Sequence, residues 1–178
     1  MGNNRKQSAI GWPREVHGAL AAANVKQVAY VPDAGHTDLI ELCHADRNMR
    51  AVVLTTEEEG VALLAGAWLG GERGVLLMQS SGVGNCINMI GMTHECRFPL
   101  LMLVTMRGDW GEFNPWQVPM GNTTAAVLEA AGVIVKQATT ASEVAETVAA
   151  AAKLAFNTYR AIAVLIGQRA SSAKNWSK

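Results

Sequence analysis

The sequence has few charged side chains and no long apolar run. Of its 178 residues only 17% are charged, against about a quarter in an average soluble domain. The longest apolar run, Pro99 to Met106, has the length of a β-strand, whereas a membrane-spanning helix needs about 20 apolar residues. We therefore expect no membrane span, and the low charge predicts that another chain covers part of the surface.

A basic surplus, a secretory signal and an even set of cysteines are also missing. The chain has 15 basic and 15 acidic side chains, which argues against a nucleic-acid-binding protein. The first residues, MGNNRKQS, lack the apolar stretch of a signal peptide. The three cysteines, Cys43, Cys86 and Cys96, are typical of a reducing compartment. We expect a cytoplasmic protein without disulfides.

Segments with the patterns of strands and helices alternate along the chain. The predicted strands are 27–31, 51–54, 74–78, 99–106, 133–136 and 161–166. The predicted helices are 10–23, 37–45, 57–69, 85–95, 123–131 and 141–156. Because the strands are continuously apolar, we expect both of their faces to be covered, as in a parallel sheet flanked by helices.

This order predicts a single three-layer, doubly wound α/β domain with a mostly parallel six-stranded sheet. The domain is expected to span 10–169, between a polar N-terminal segment, 1–9, and a C-terminal tail, 170–178. Ligands of such sheets bind outside the carboxyl ends of the strands. Candidate chemistry is therefore expected in the segments that follow the first four strands.

Three adjacent acids, Glu57, Glu58 and Glu59, follow the second strand. One interpretation is structural, because Thr56 and Glu59 have the spacing of a capping box and acids in a first turn suit the helix dipole. The other is catalytic. If Glu59 serves the cap, Glu58 projects in a different direction and is available as a general acid or base.

The helix that begins with these acids, GVALLAGAWLGG in its later part, is apolar on nearly every side. This pattern predicts burial all round. The helix is then either a central core helix of the domain or the place where a second chain docks. The sequence leaves both interpretations open.

Gln79 to Asn85, QSSGVGN, follows the third strand. Glycines at a strand-to-helix turn permit close backbone approach and leave the first N–H groups of the helix free for a ligand. The segment matches neither a P-loop, nor the dinucleotide fingerprint, nor a nucleophile elbow. It is either a simple tight turn or a ligand-binding turn, and a nucleotide phosphate is one ligand that would suit it.

Asp33 and His36 follow the first strand, and each would ordinarily cap the next helix. The fourth strand leads into a predicted long loop, 107–122, which contains Arg107 and Gln117. Long loops on a rigid scaffold often close over ligands. The alternative is a surface loop whose tryptophans bury against a neighbour.

Three stretches in this order, TTEEEGVALLAGAWLGG, GVLLMQSSGVGN and FPLLMLVTMRG, resemble the pyrimidine-binding domain of thiamine-diphosphate-dependent decarboxylases. The YVPD segment fits as well. The resemblance points first to sulfopyruvate decarboxylase alpha subunits and second to phosphonopyruvate decarboxylases. It implies conversion of 3-sulfopyruvate into sulfoacetaldehyde and carbon dioxide. The alternatives are a phosphonopyruvate decarboxylase subunit and a non-catalytic module that binds thiamine diphosphate.

In that family, one glutamate at the start of this helix hydrogen-bonds N1′ of the cofactor's aminopyrimidine and exchanges a proton with it. Counting back from Ala65-x-Ala67-Trp68, the resemblance implies Glu58, with Glu59 as the competing register. The cofactor-binding residues that it implies are Glu58, Glu59, Ser81, Gly82, Gly84 and Asn85.

The family's motif for Mg²⁺ and the diphosphate, Gly-Asp-Gly followed by Asn, is not found in this sequence. Gly108-Asp109-Trp110 has the wrong third residue. The resemblance therefore implies a beta subunit that holds Mg²⁺ and the diphosphate, and a hetero-oligomer in which this chain holds no metal. A sulfonate or phosphonate needs cationic or amide donors. The expected substrate-binding residues, on the predicted ligand-facing loops, are Asp33, His36, Arg107 and Gln117.

Overall fold

The computed structural model describes residues 11–171. Its sheet has six strands, all parallel, in the order β2-β1-β3-β4-β6-β5. The strands are β1 (Val25–Tyr30), β2 (Arg50–Val53), β3 (Arg73–Gln79), β4 (Leu100–Thr105), β5 (Ile134–Ala138) and β6 (Ala161–Ile166). All six predicted strands and the parallel sheet are confirmed. The predicted segment 1–9 and most of the predicted tail lie outside the described residues.

Helices cover both faces of the sheet. They are α1 (Trp12–Ala22), α2 (Thr37–Ala45), α3 (Glu57–Leu69), α4 (Ser80–Ile90), α5 (Met92–Glu95), α6 (Val118–Ala130) and α7 (Ala141–Thr158). One apolar core joins the sheet to α1, α2 and α7, and a second joins it to α3, α4 and α6. The predicted three-layer arrangement is therefore confirmed. Within the described range, no helix combines the length and apolarity that crossing a bilayer requires.

The central strands explain why the sheet reads as continuously apolar. Every residue of β4 and β6 is buried. Leu101 and Leu103 enter the first core, whereas Leu100, Met102 and Val104 enter the second. A strand with helices on both faces needs apolar side chains on both.

Two helices begin earlier than the sequence pattern predicts. α4 begins at Ser80, directly after β3, so the predicted glycine turn is helical, and the predicted single helix is divided at Gly91. α6 begins at Val118, after a short 3-10 turn at Pro115–Gln117, so this helix begins five residues before its predicted start. Pro119 hides this start from sequence reasoning, although proline is well tolerated in a first helical turn.

The strand order creates a crevice at the carboxyl edge of the sheet. β1 and β3 are neighbours, but β1 leads to α2 on one face and β3 leads to α4 on the other. Such a switch point leaves a space between the two connections, where ligands of open α/β sheets bind. The segments after β1, β3 and β4 surround this crevice.

Candidate functional site

The first turns of α3 and α4 are joined by a buried carboxylate. Glu57, the first residue of α3, is only 6% exposed. Its Oε2 accepts a hydrogen bond of 2.8 Å from Nδ2 of Asn85 on α4. The carboxylate also lies against Gly82, where a Cβ atom would overlap it. Only glycine at position 82 leaves room for Glu57, so the two helix starts are held in close contact.

The two following acids are exposed, but they differ in what they contact. Glu59 Oε2 accepts a hydrogen bond of 2.9 Å from the N–H of Thr55. Glu58 has no hydrogen-bond partner in the described part of the chain. The predicted capping box is not formed, because the Thr56 hydroxyl makes no capping bond and Glu59 accepts from the N–H of Thr55 and not from that of Thr56. Glu59 therefore helps to start the helix, and Glu58 is left available for a ligand.

The charges of Glu57 and Glu58 also act on a side chain of α4. Burial, followed by the charges of Glu57 and Glu58, raises the pKa of the Cys86 thiol to about 12. Cys86 is therefore a neutral thiol near pH 7 and a poor nucleophile. The carboxylates of Glu57 and Glu58 therefore lie close enough to the second turn of α4 to affect the pKa of Cys86.

The predicted cofactor-binding residues of the glycine segment lie on the first two turns of α4. Ser81 is half-buried, Gly82 is buried, and Gly84 and Asn85 are exposed. Because this segment is helical, no free glycine turn remains there for a phosphate. The nucleotide-binding alternative relied on a glycine turn, and the structure has the first turns of a helix at that place. Of these turns, Ser81, Gly84 and Asn85 are partly or fully exposed.

α3 has a buried side and an exposed side, so the expected burial all round is wrong for this chain alone. The buried apolar residues are Val61, Leu64 and Ala65. The exposed side carries Glu58, Ala62 and Gly66, at the four-residue spacing of one helix face, and ends near Leu69, which is 87% exposed. No described residue covers this small apolar strip, which lies on the same helix face as Glu58. Its small side chains would allow another chain to come into close contact.

The segments after β1, β3 and β4 are linked to one another by hydrogen bonds. Asp33 Oδ2 accepts one from the N–H of Gly35 at 3.2 Å and one from the hydroxyl of Thr105. The N–H of Arg107 donates to Ser80 Oγ at 3.0 Å. These bonds fix the carboxyl ends of three adjacent strands relative to one another.

The structure does not place His36 on the ligand-facing surface where it was expected. Its side chain is fully buried and lies edge-on to Trp12. Nε2 donates to the carbonyl of Leu103 at 3.1 Å, because a carbonyl only accepts. Burial lowers the pKa of His36, so the ring is neutral near pH 7. His36 anchors the start of α2 to the sheet.

Glu112 fastens the loop that follows β4. Its carboxylate is 3% exposed and accepts five hydrogen bonds: from Nε and Nη2 of Arg107 at 2.6 Å each, Gly108 N at 3.2 Å, Asn114 N at 3.0 Å and Gln168 Nε2 at 2.9 Å. The bidentate bond with Arg107 lowers the pKa of Glu112 to about 2. The same bond raises the pKa of Arg107. The pair is therefore fully ionised at neutral pH.

A cleft of about 620 Å³ lies at the carboxyl edge of the sheet, beside this loop. Its lining includes Trp12, Asp33, Thr105, Arg107, Trp110 and Phe113. Two predicted substrate-binding residues, Asp33 and Arg107, line the cleft. Gln117 does not, and its buried Oε1 has no hydrogen-bond partner among residues 11–171. In the described residues, no group of three or more His, Cys, Asp or Glu side chains is arranged to hold a metal ion.

Two residues that organise this region are not singled out by the sequence. Glu57 is one of three identical neighbours, and its burial depends on Asn85 and Gly82 of another helix. Glu112 sits in a loop of irregular spacing. The signal in the sequence for Glu112 is its spacing of five residues from Arg107, whereas Gly82 was accounted for by a predicted turn.

Comparison with known proteins identifies the class. The profile of the family described as "Thiamine pyrophosphate enzyme, N-terminal TPP binding domain" matches residues 15–112. This chain belongs to that family of thiamine pyrophosphate enzymes.

Individual relatives narrow the class. The chain is 33% identical over 152 residues to the sulfopyruvate decarboxylase subunit alpha of Methanococcus maripaludis, a match that covers 85% of this chain and 91% of the relative. It is 31% identical to the same subunit of Methanothermobacter thermautotrophicus, over 85% of this chain and 92% of the relative. Phosphonopyruvate decarboxylase of Streptomyces viridochromogenes is 38% identical over 112 residues, which are 62% of this chain and 28% of that one.

A solved structure shows the same fold. The 2-oxoglutarate:ferredoxin oxidoreductase of Magnetococcus marinus superposes with a TM-score of 0.69 and 14% sequence identity. The superposition covers 89% of this chain and 29% of that chain. It confirms the α/β architecture, and at this identity it supports the fold alone.

The α3–α4 junction has the groups that an aminopyrimidine ring needs. Glu58 is an exposed carboxylate without a partner among residues 11–171. Glu57, the residue before it, accepts a hydrogen bond from Nδ2 of Asn85. The other end of that amide, Asn85 Oδ1, has no hydrogen bond in the same range. A carboxylate and an amide oxygen suit the ring nitrogens and amino group of a heterocycle. The residues present therefore fit the pyrimidine half of thiamine diphosphate.

Proposed function

We propose that this chain is the alpha, pyrimidine-binding subunit of a thiamine-diphosphate-dependent 2-oxo acid decarboxylase, a carboxy-lyase. The similarity to sulfopyruvate decarboxylase alpha subunits over 85% of the chain supports 3-sulfopyruvate as the substrate. The products are then sulfoacetaldehyde and carbon dioxide. The observation that carries this proposal is Glu58, exposed and unpartnered among the described residues, at the start of α3 in a chain of this family.

The proposed catalytic residue is Glu58. Thiamine diphosphate, when bound, supplies the electron sink for the loss of carbon dioxide from a 2-oxo acid. Glu58 would hydrogen-bond N1′ of its aminopyrimidine and hold or release a proton at that atom. Glu59 is already bonded to Thr55, which favours Glu58 over the competing register. Ser81, Gly84 and Asn85 would contact the ring from α4.

We propose a beta subunit that holds Mg²⁺ and the diphosphate, in a hetero-oligomer. The similar proteins of Methanococcus maripaludis and Methanothermobacter thermautotrophicus are each a subunit alpha, which supports a partner subunit. The Asp109 carboxylate of Gly108-Asp109-Trp110 already accepts bonds of 3.3 Å from the N–H of Gln168, so it is engaged within this chain. The exposed strip of α3 that continues from Glu58 is the surface where this partner would close the site. A cytoplasmic location is supported by the three free cysteines.

The substrate would enter the crevice between the α3–α4 junction and the cleft. Asp33 and Arg107 line that cleft and remain in the proposed substrate-binding set, together with Gln117. Two donor atoms of the Arg107 guanidinium are held by Glu112, so this chain presents a pre-oriented and partly neutralised cation rather than a free one. His36 is left out of this set because it is fully buried.

The test is reconstitution of the complex. The chain is co-expressed with the beta subunit, and carbon dioxide release from 3-sulfopyruvate and from 3-phosphonopyruvate is measured with and without thiamine diphosphate and Mg²⁺. We expect cofactor-dependent turnover with a preference for the sulfonate. A preference for the phosphonate would move the assignment to the second kind of relative. Cofactor binding without turnover of any 2-oxo acid would instead indicate a non-catalytic module.

A further inference from the structure

Glu57 is a buried carboxylate to which the proposed reaction assigns no role. It is 6% exposed, and within the described residues it accepts a hydrogen bond of 2.8 Å from Asn85 Nδ2. Burying a charged group is costly unless its partners compensate. An apolar side chain would fill this position at lower cost, so the carboxylate needs another explanation.

The contacts of Glu57 fix two helix starts relative to each other. Glu57 is the first residue of α3, and Asn85 lies in the second turn of α4. Gly82, one turn before Asn85, lets the carboxylate approach the α4 backbone, since a Cβ atom at 82 would overlap three atoms of the Glu57 side chain. Glu57 of α3 and Asn85 and Gly82 of α4 therefore form one set of contacts between the two helices.

This set lies beside the proposed catalytic group. Glu58 follows Glu57 in the same helical turn, so any rotation of the α3 start about its axis moves both side chains together. Holding Asn85 Nδ2 on Glu57 also determines which end of the Asn85 amide is left for a ligand, namely the acceptor Oδ1.

We propose that Glu57 is a positioning residue: its bond to Asn85, seated on Gly82, holds Glu58 and the Asn85 amide in the orientation that the aminopyrimidine requires. This inference rests on the proposed function. Glu57 touches neither cofactor nor substrate, and its effect on turnover is exerted through Glu58 and Asn85. An amide oxygen at position 57 would accept the same hydrogen bond, whereas a methyl group would not.

The test compares Glu57→Ala, Glu57→Gln and Glu58→Gln in the reconstituted complex, with Glu146→Gln on the exposed face of α7 as the matched control. The measurements are kcat, KM for the 2-oxo acid, the Kd of thiamine diphosphate by calorimetry, and the melting temperature. Glu57→Asp, which keeps the charge but is one methylene too short to reach Asn85, replaces Glu57→Ala if the latter does not fold.

We expect Glu57→Ala to lower kcat by about 10- to 100-fold, since small misplacements of catalytic groups have effects of that size. The Kd of thiamine diphosphate should rise several-fold, and KM should stay unchanged. Glu57→Gln should restore kcat to within about threefold of the parent, because its Oε1 still accepts from Asn85. Glu58→Gln should show almost no turnover, and Glu146→Gln should have the same kcat and Kd as the parent.

Three results would overturn the inference. If Glu57→Ala lowers only the melting temperature while kcat and Kd equal those of the parent, the role of Glu57 is merely structural. If Glu57→Gln is as inactive as Glu58→Gln, Glu57 transfers the proton itself. If Glu58→Gln is fully active or the parent complex binds no thiamine diphosphate, the proposed function fails, and this inference fails with it.

Discussion

Two carboxylate sites at the same edge of the sheet differ in how their charge is satisfied. Glu112, in the loop after β4, accepts five hydrogen bonds, and its pKa is lowered to about 2. Glu58, at the start of α3, is exposed and accepts none from the described residues. A carboxylate surrounded by donors is held in its ionised form and serves the structure. A carboxylate without donors keeps its oxygens available for a hydrogen bond with a ligand, which is what a positioned general acid or base requires.

Glu57 is intermediate between these two carboxylates in how its charge is satisfied. It is buried like Glu112 but has one donor, from Asn85, and it directly precedes Glu58. The run of three acids is therefore not a uniform charged patch. Glu57 is buried, Glu58 is exposed, and Glu59 accepts a hydrogen bond from the backbone N–H of Thr55.

The largest effect is expected from removing the open carboxylate. In the reconstituted complex, Glu58→Ala should lower kcat by about 10²- to 10⁴-fold, the usual contribution of a positioned acid or base. The melting temperature of the chain should be unchanged, because Glu58 makes no hydrogen bond in the described range. Steady-state kinetics and circular dichroism measure the two quantities. Glu59→Ala serves as the comparison variant, and a greater loss of turnover there would move the catalytic register to Glu59.

The satisfied carboxylate should control stability and its pH dependence. Because the pKa of Glu112 in the fold, about 2, lies below its ordinary value of 4.5, the ion pair with Arg107 stabilises the protein above pH 4.5 and loses that effect as the pH falls toward 2. Glu112→Gln should lower the free energy of unfolding at pH 7 by about 2 kcal/mol. Urea titrations of both proteins between pH 7 and pH 3 measure this difference.

The difference between parent and Glu112→Gln should shrink as the pH falls below 4.5. A difference that stays constant across that range would show that lost packing, and not the ion pair, causes the destabilisation. Asp38→Asn, an exposed acid on α2, is the control for a general change in net charge.

The contact between the buried carboxylate and α4 should be sensitive to one methyl group. Gly82→Ala forces a Cβ atom into Glu57 and should cost about 1–2 kcal/mol of unfolding free energy. The matched control is Gly18→Ala in the interior of α1, where a Cβ atom meets nothing within 4 Å. That variant should be stabilised by about 0.5–1 kcal/mol through helix propensity. Equal effects of the two substitutions in urea unfolding would contradict the tight seat of Glu57 on Gly82.

The smallest effect concerns the exposed strip of α3. Leu69→Lys should weaken binding of the beta subunit by about tenfold, because charged groups are disfavoured in the centre of an interface. The unfolding free energy of the chain alone should change by less than about 0.5 kcal/mol, since Leu69 is 87% exposed. Sedimentation or surface-binding titrations measure the affinity. Ala150→Lys, on the exposed face of α7, adds the same charge elsewhere and should leave the affinity unchanged.

Much of the fold could be predicted because it depends on local pattern. Thr37–Ala45, Glu57–Leu69 and Ala161–Ile166 have the predicted limits, since the apolar pattern of a segment depends on a few neighbouring residues. The start of α4 could not be predicted in this way. Its glycines are typical of a turn, and the contact that accounts for Gly82 is made with Glu57 on another helix.

The candidate site divides along the same line. The class of fold, the order of the motifs and the run of acids that marks the carboxyl end of β2 could be predicted from the chain alone, because these depend on residue type and spacing. That Glu57 is buried, that Glu58 is exposed and that His36 belongs to the core is visible only once the chain is folded. Burial is a property of what lies opposite a side chain, and the residues opposite, Asn85 and Leu103, come from distant parts of the chain.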